Sequence, residues 1–384
     1  MRPFPSRPGR GVLPSLVFAA AMAHGDGTWR PLLAQTRVVD LSDSPIATIV
    51  PSEYDRGFLE RIGNVVVTEL GIWLADYGQT KVLRFDDQGN LMAEYGRGGG
   101  GPGEFASVGR FRVDSILTVN DPRQGREVRF GLDGTHLETR QSLRFRDGTG
   151  RERPVRGSAQ LRNGVHVLHS EPGFTWPSVQ NSEPFQRVVL AYPGVERLDT
   201  LLSYHWGVAG WGTERRAGLL RTPFGNGGAW ELLGDTAIVL ADGVAGTLTF
   251  VRPMGDSFEA DTIDLELAGR PISSRDLDRA RAEDDLPRGA ELFDVPEYWS
   301  VATRLILGQD GQYWLRQAVE GDQEHWIVVV LGTGEKWRIV LPERFRLNDV
   351  WGGLLYGVAT DELDVPSVGA LVNPVGTNPT PEPA

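Results

Sequence analysis

A glycine recurs six times along this chain, each time four residues after a short apolar run, and this recurrence limits the possible folds more than any other feature. Residues 81–85 lead to Gly89, 128–130 to Gly134, 188–190 to Gly194, 249–251 to Gly255, 328–330 to Gly334 and 370–372 to Gly376. The intervals between these glycines are 45, 60, 61, 79 and 42 residues. Strand, glycine turn, strand, repeated in this way, marks a repeat architecture. Glycine suits the turn because a tight hairpin needs a positive φ that a side chain resists.

Further strands precede several of these hairpins, at 71–76, 115–121, 238–242 and 312–316. Each unit therefore reads as a four-stranded antiparallel meander. Such a sheet cannot cover both of its faces alone, whereas six of them stacked radially bury one another. The expected fold is all-β, a six-bladed β-propeller over residues 36–376. The last unit predicts how the ring closes. After Gly376 only the Pro-rich tail 377–384 remains, and it cannot pair as a strand. Blade six thus lacks its fourth strand, and residues 36–41 (Thr-Arg-Val-Val-Asp-Leu) are expected to supply it from the N-terminal side. The charged stretch 273–290 breaks the repeat and accounts for the longest interval. It opens with serine, has an acid in its first turn and carries Leu and Ala inside, which predicts one short helical insertion.

The first 23 residues have Arg2, Arg7 and Arg10, then an apolar run, then Ala21-Met22-Ala23. That order predicts a secretory signal peptide over 1–23, interrupted by Pro14, with 24–35 as a linker and an extracytoplasmic location, periplasmic or secreted. No other stretch approaches the ~18–20 apolar residues of a membrane-spanning helix. The chain has no cysteine, which excludes disulfide scaffolds, thiol nucleophiles and thiolate metal centres. Its 39 basic and 51 acidic residues leave a formal charge of −12, the wrong sign for a nucleic-acid partner.

Residues 85–91 (Phe-Asp-Asp-Gln-Gly-Asn-Leu), followed by 95–105 (Tyr-Gly-Arg-Gly-Gly-Gly-Gly-Pro-Gly-Glu-Phe), resemble NHL-repeat proteins. More narrowly, they are similar to secreted bacterial six-bladed propellers whose blades end in a Gly-x-Gly-Pro-Gly-Glu-Phe phrase. Residues 357–368 resemble the last blade of that group. The resemblance implies the fold and an extracytoplasmic location; it leaves the activity open, because propellers of this type serve as docking platforms, ligand binders and enzymes.

Several residues are candidates for chemistry. Asp76, Asp121 and Asp242 occupy one place in three blades. As channel-facing carboxylates they would be metal ligands for a hard cation such as Ca²⁺. As a repeated feature they read better as acceptors for turn amides. His166 and His169, three apart in a strand, point to opposite faces and cannot clasp one metal alone. The Gly98–Gly103 run lacks the Lys-Ser/Thr of a phosphate cradle and reads as a connection between blades pinned by Glu104 and Phe105. Tyr204, His205, Trp206, Trp211 and Arg215 form the candidate ligand surface, since aromatic faces beside guanidinium groups suit carbohydrates, aromatic ligands and carboxylates. The resulting expectation is a monomeric, non-catalytic propeller that binds a protein, peptide or carbohydrate through loops on one face, without a cofactor. The alternative is a metal-dependent hydrolase or lactonase with its site in the central channel.

Overall fold

The computed structural model describes residues 36–141, 145–146, 152–153, 155–170, 185–192, 198–205, 208–212, 217–225, 227–283, 291–293 and 295–375. Six sheets make the ring. Blade one comprises Ile62–Thr68, Gly71–Asp76, Lys81–Phe85 and Leu91–Tyr95. Blade two comprises Phe111–Val113, Leu117–Asp121, Arg126–Phe130 and His136–Gln141. Blade three follows with Val155–Gln160, His166–Ser170, Phe185–Ala191 and Leu198–His205. Blade four is built from Gly228–Leu233, Ala237–Asp242, Thr247–Met254 and Ser257–Asp264. Blade five contributes Arg304–Leu307, Gln312–Arg316, His325–Val330 and Glu335–Val340. Blade six has Phe345–Trp351, Leu354–Thr360 and Pro366–Val372, with Ala47–Val50 as its fourth strand.

The expected six-bladed, four-stranded architecture is therefore the observed one, and a strand from the N-terminal side closes the last blade. Its identity differs from expectation. Residues 36–41 do not complete blade six. Arg37–Asp40 instead runs parallel to Glu335–Val340, as a fifth strand on the outside of blade five. Ala47–Val50 pairs antiparallel with Pro366–Val372 and makes the closure. Burial explains the choice: Val50 is fully buried, in the apolar cluster shared by blades six and one, while Val38 is 67% exposed. The strand that closes the ring is the one whose side chain finds a core.

The turn glycines sit where the repeat placed them. Gly89, Gly134, Gly255 and Gly334 join the third strand of a blade to the fourth, at φ values of 83°, 91°, 61° and 70°. Gly194 and Gly376 lie outside the described residues. At Gly89 a Cβ would come within 2.3 Å of the Ile49 carbonyl oxygen, so this glycine also lets the closing strand pass.

Apolar clusters fill the interfaces between blades five and six, six and one, one and two, three and four, and four and five. Trp73, Trp314 and Trp326 are fully buried in them. Buried polar groups lock the innermost strands of adjacent blades. The Asn348 Oδ1 and Asp349 Oδ2 atoms of blade six accept from the Val65 and Val67 amides of blade one at 3.3 and 2.8 Å. Glu324, 2% exposed, accepts from Trp326 Nε1 at 3.1 Å and from the Leu347 amide at 3.0 Å, and it pairs with Arg316.

The insertion forms the helix Ser274–Glu283, and Ser273 caps it in a reciprocal box. The Asp276 amide donates to Ser273 Oγ, and the Ser273 amide donates back to Asp276 Oδ2 at 2.8 Å. The helix is less exposed than its charge suggests: Ala280 and Leu277 pack with Phe224 and Trp299. Beside it, Val208–Gly212, Ala217–Arg221 and Glu291–Phe293 form a small three-stranded sheet from two different inter-blade connections. No helix among the described residues is long and apolar enough to cross a membrane.

Candidate functional site

Blade two breaks the packing rule of its neighbours. Its middle strands alternate, Leu-Thr-Val-Asn-Asp and Arg-Glu-Val-Arg-Phe, so every second side chain points to the same face. Val119, Val128 and Phe130 face blade one in an apolar cluster. The opposite set, Thr118, Asn120, Glu127 and Arg129, looks toward blade three across a cavity of about 620 Å³. The cavity continues along the inner strands of blades four and five, where Trp230, Glu231 and Arg304 line it. Its volume is that of a small-molecule site.

The charge of this cavity is opposite to that of the whole chain. Arg110, Arg112, Arg129, Arg140 and Arg304 line it, against Glu127 and Glu231. Some of this charge is balanced locally: Arg112 pairs with Asp114, and Arg129 and Arg140 share Glu138. Arg304 is different. It sits deep in the protein yet open to the cavity, and burial pulls its pKa down from the usual arginine value, opposed by Glu324. Its guanidinium donates to the Leu347 carbonyl at 2.7 Å and to the Asn348 carbonyl at 3.3 Å. On the far side of blade three, His169 Nε2 meets the Tyr204 hydroxyl at 2.7 Å and its ring packs edge-on to Trp230. His166 faces blade two; burial lowers its pKa, and Arg129 adds to that while Glu127 opposes it. The two histidines thus point to opposite faces of their strand, as their spacing requires.

The structure separates the residues grouped as a ligand surface. Tyr204, next to the last residue of the outer strand of blade three, is 6% exposed and packs into the interface with blade four, where it lines the cavity. Trp211 lies in the separate small sheet and packs with Phe224, Trp299 and the helix. His205 ends the same strand as Tyr204, and its carbonyl accepts from the Gly227 amide at 2.8 Å. Trp206 and Arg215 lie outside the described residues. The alternating pattern of blade two was the readable signal for the cavity wall; the convergence of Arg110 and Arg304 from distant blades had no local signal.

The repeated aspartates terminate the second strands of their blades. Asp76, fully buried, accepts from the amides of Glu60, Arg61, Gly78 and Gln79. Asp121, also fully buried, accepts from the Ala106 and Ser107 amides and from Arg126 Nε at 3.1 Å. Asp242 accepts from the Val244 and Ala245 amides, both at 2.8 Å. In blade one the carboxylate ties the turn after its own strand to the loop entering the blade, and in blade two it ties the entering loop to Arg126 of the third strand. The Gly98–Gly103 run is the connection between blades one and two. Arg126 donates to the carbonyls of Gly100 and Glu104, and Phe105 is fully buried. At Gly96, φ 72°, a Cβ would collide with the Phe105 ring at 2.0 Å.

Residues 54–146 match the family DUF5128, described as a 6-bladed beta-propeller. Among solved structures the chain is similar to a Bacteroides fragilis protein described as exported, at 12% identity and a TM-score of 0.52, covering 88% of this chain and 98% of that one. It is also similar to a member of the duf4221 family from Bacteroides vulgatus, at 11% identity and a TM-score of 0.50, covering 85% and 94% of the two chains. None of the curated proteins compared with the chain matches it. The chain is a six-bladed β-propeller, similar in fold to these two bacterial proteins.

Proposed function

We propose that this chain is an extracytoplasmic, non-catalytic binding propeller that holds a small ligand, or the end of a peptide or glycan, in its central cavity. The observation that carries the reading is the cavity itself: about 620 Å³, lined by inner strands of four blades and by one polar blade face. A propeller blade normally needs both faces covered by its neighbours. A blade that keeps one face polar and hollow spends stability that a purely structural ring would retain. Extracytoplasmic placement is supported by the pattern of residues 1–23, which lie outside the described residues, and by the likeness to a protein described as exported.

The metal-hydrolase alternative needs carboxylates converging on a cation. The cavity's charged groups are mainly guanidinium, which repels a cation, and Asp76, Asp121 and Asp242 spend their oxygens on amides. The test is a thermal-shift survey of the purified chain against monosaccharides, short peptides and lactones, with metal content measured by mass spectrometry after dialysis without chelator. A saturable rise in Tm, without turnover and without stoichiometric metal, is the expected result. Lactone turnover dependent on a bound divalent cation would overturn the proposal.

A further inference from the structure

Resting on that reading of the cavity, we infer that Arg110 and Arg304 form an oxyanion seat, so that the ligand carries a carboxylate, sulfate or phosphate group. Arg110 immediately precedes the inner strand of blade two, and Arg304 opens the inner strand of blade five, so the two enter from opposite sides of the ring. Both side chains line the one cavity.

Two like charges lining one cavity of a fold are unfavourable unless something compensates them. The protein gives its other cavity arginines ion-pair partners and gives these two none among the described residues. Arg112 has Asp114, and Arg129 and Arg140 have Glu138. Among the described residues, no carboxylate lies within salt-bridge distance of Arg304, whose partners are the Leu347 and Asn348 carbonyls and, at 3.4 Å, Asn348 Oδ1. The Arg110 side chain has no hydrogen-bond or ion-pair partner among them, and it is exposed at the mouth of the cavity. Glu324, paired with Arg316, and Glu231, which faces the cavity, both influence Arg304 without pairing with it. A guanidinium presents paired donors matched to an oxyanion, and two of them from opposite walls give a seat that a neutral ligand cannot satisfy. One arginine held rigidly by backbone carbonyls, facing a second that is free to close, is an arrangement suited to capture from solvent.

The experiment uses the full chain and three probes: inorganic sulfate, glucuronate and glucose. Glucuronate and glucose share a sugar ring and differ in one carboxylate. Tm and calorimetric titrations are compared between the parent chain and Arg110→Gln, with chloride as the ionic-strength control. Because sulfate also stabilises proteins by exclusion from their surfaces, the readout is the difference between the two chains. The expected result is saturable binding of glucuronate, sulfate or both, weakened about tenfold or more in Arg110→Gln, with glucose inert. Saturation by glucuronate alone would identify the ligand group as a carboxylate; saturation by sulfate alone would identify it as tetrahedral. Arg110 has no structural partner, so Arg110→Gln keeps the fold, whereas Arg304→Gln gives up carbonyl contacts and serves as a second variant. Equal binding of glucose and glucuronate would overturn the oxyanion seat while leaving a binding cavity in place. Anion binding identical in the parent chain and Arg110→Gln would overturn the assignment to this pair. No saturable response to any of the three probes would overturn the seat, and the broader ligand survey would then decide the fate of the binding reading separately.

Discussion

Blades five and two stand opposite each other in the ring and solve the same burial problem in different ways. Blade five is apolar on both faces. Its strands run Gln-Tyr-Trp-Leu-Arg and His-Trp-Ile-Val-Val-Val, and Trp314 and Trp326 are fully buried between it and blade six. Most of its buried polar atoms are matched: Gln312 Oε1 accepts from Trp314 Nε1 and Asn373 Nδ2, both at 3.1 Å, and Trp337 Nε1 is the exception among the described residues. Blade two has one apolar face and one polar face, and the polar face lines the cavity. Where nearly every buried polar group finds a protein partner, the region builds; where guanidinium groups are left over, the region is available to a ligand. The largest effect should therefore lie in blade five. Trp314→Ala is expected to cost about 3–5 kcal/mol in urea denaturation, through the cavity it leaves and the Gln312 contact it removes. Thr118→Ala, on the polar face of blade two, should change stability by no more than about 0.5 kcal/mol. Comparable losses for the two would mean that the face toward blade three is as tightly packed as the core of blade five.

The two N-terminal strands extend the contrast to the ring closure. Val50 is fully buried between blades six and one, whereas Val38 lies on an added outer strand and is 67% exposed. A Val50→Asp substitution places an uncompensated charge in the closing seam and should cost about 3 kcal/mol or more. Val38→Asp should stay within about 0.5 kcal/mol of the parent chain. Equal destabilisation by both, measured by the same urea titration, would show that the strand on blade five shares the task of closure.

The repeat was legible because hairpin chemistry is local. A glycine at positive φ after an apolar strand is a four-residue signal, and it placed the turns at Gly89, Gly134, Gly255 and Gly334. The missing fourth strand of blade six was legible too, since a Pro-rich tail cannot pair. The donor strand was assigned wrongly because 36–41 and 47–50 both read as short β-branched segments, and only the tertiary core distinguishes Val50 from Val38. The site was the least legible part. Tyr204 and Trp211 are seven positions apart and look like one aromatic loop. The fold sends the first into the seam between blades three and four and the second under the helix. Arg110 and Arg304 line one cavity only because ring closure brings distant blades to one axis, a relation that no local pattern records. The one local signal for the site is the alternation in blade two, which marks a strand with one polar face.

The helix Ser274–Glu283 supplies an intermediate case, charges that are matched but near the surface. Arg270 donates to both oxygens of Asp276, at 2.9 and 3.1 Å, and its guanidinium lies over the Trp299 ring at 4.6 Å. These hydrogen bonds from Arg270, joined by those from the Ser273 amide and hydroxyl, hold the Asp276 carboxyl well below the usual carboxylate range. Arg270 is half exposed, so solvent screens much of the pair, and the stabilisation left is that of a good helix cap, about 1 kcal/mol. The sign follows from the depressed pKa. The unfolded chain takes up the proton near pH 4, before the folded one does, so the contribution is complete above that pH. It fades as the pH falls from there toward the folded value. Asp276→Ala should therefore be about 1 kcal/mol less stable than the parent chain at pH 7, and the two urea curves should converge as the pH falls below 4. A gap that persists undiminished in acid would mean that Asp276 acts by filling space rather than by its charge. The helix would then belong with the packed seams of blade five and not between the two regimes.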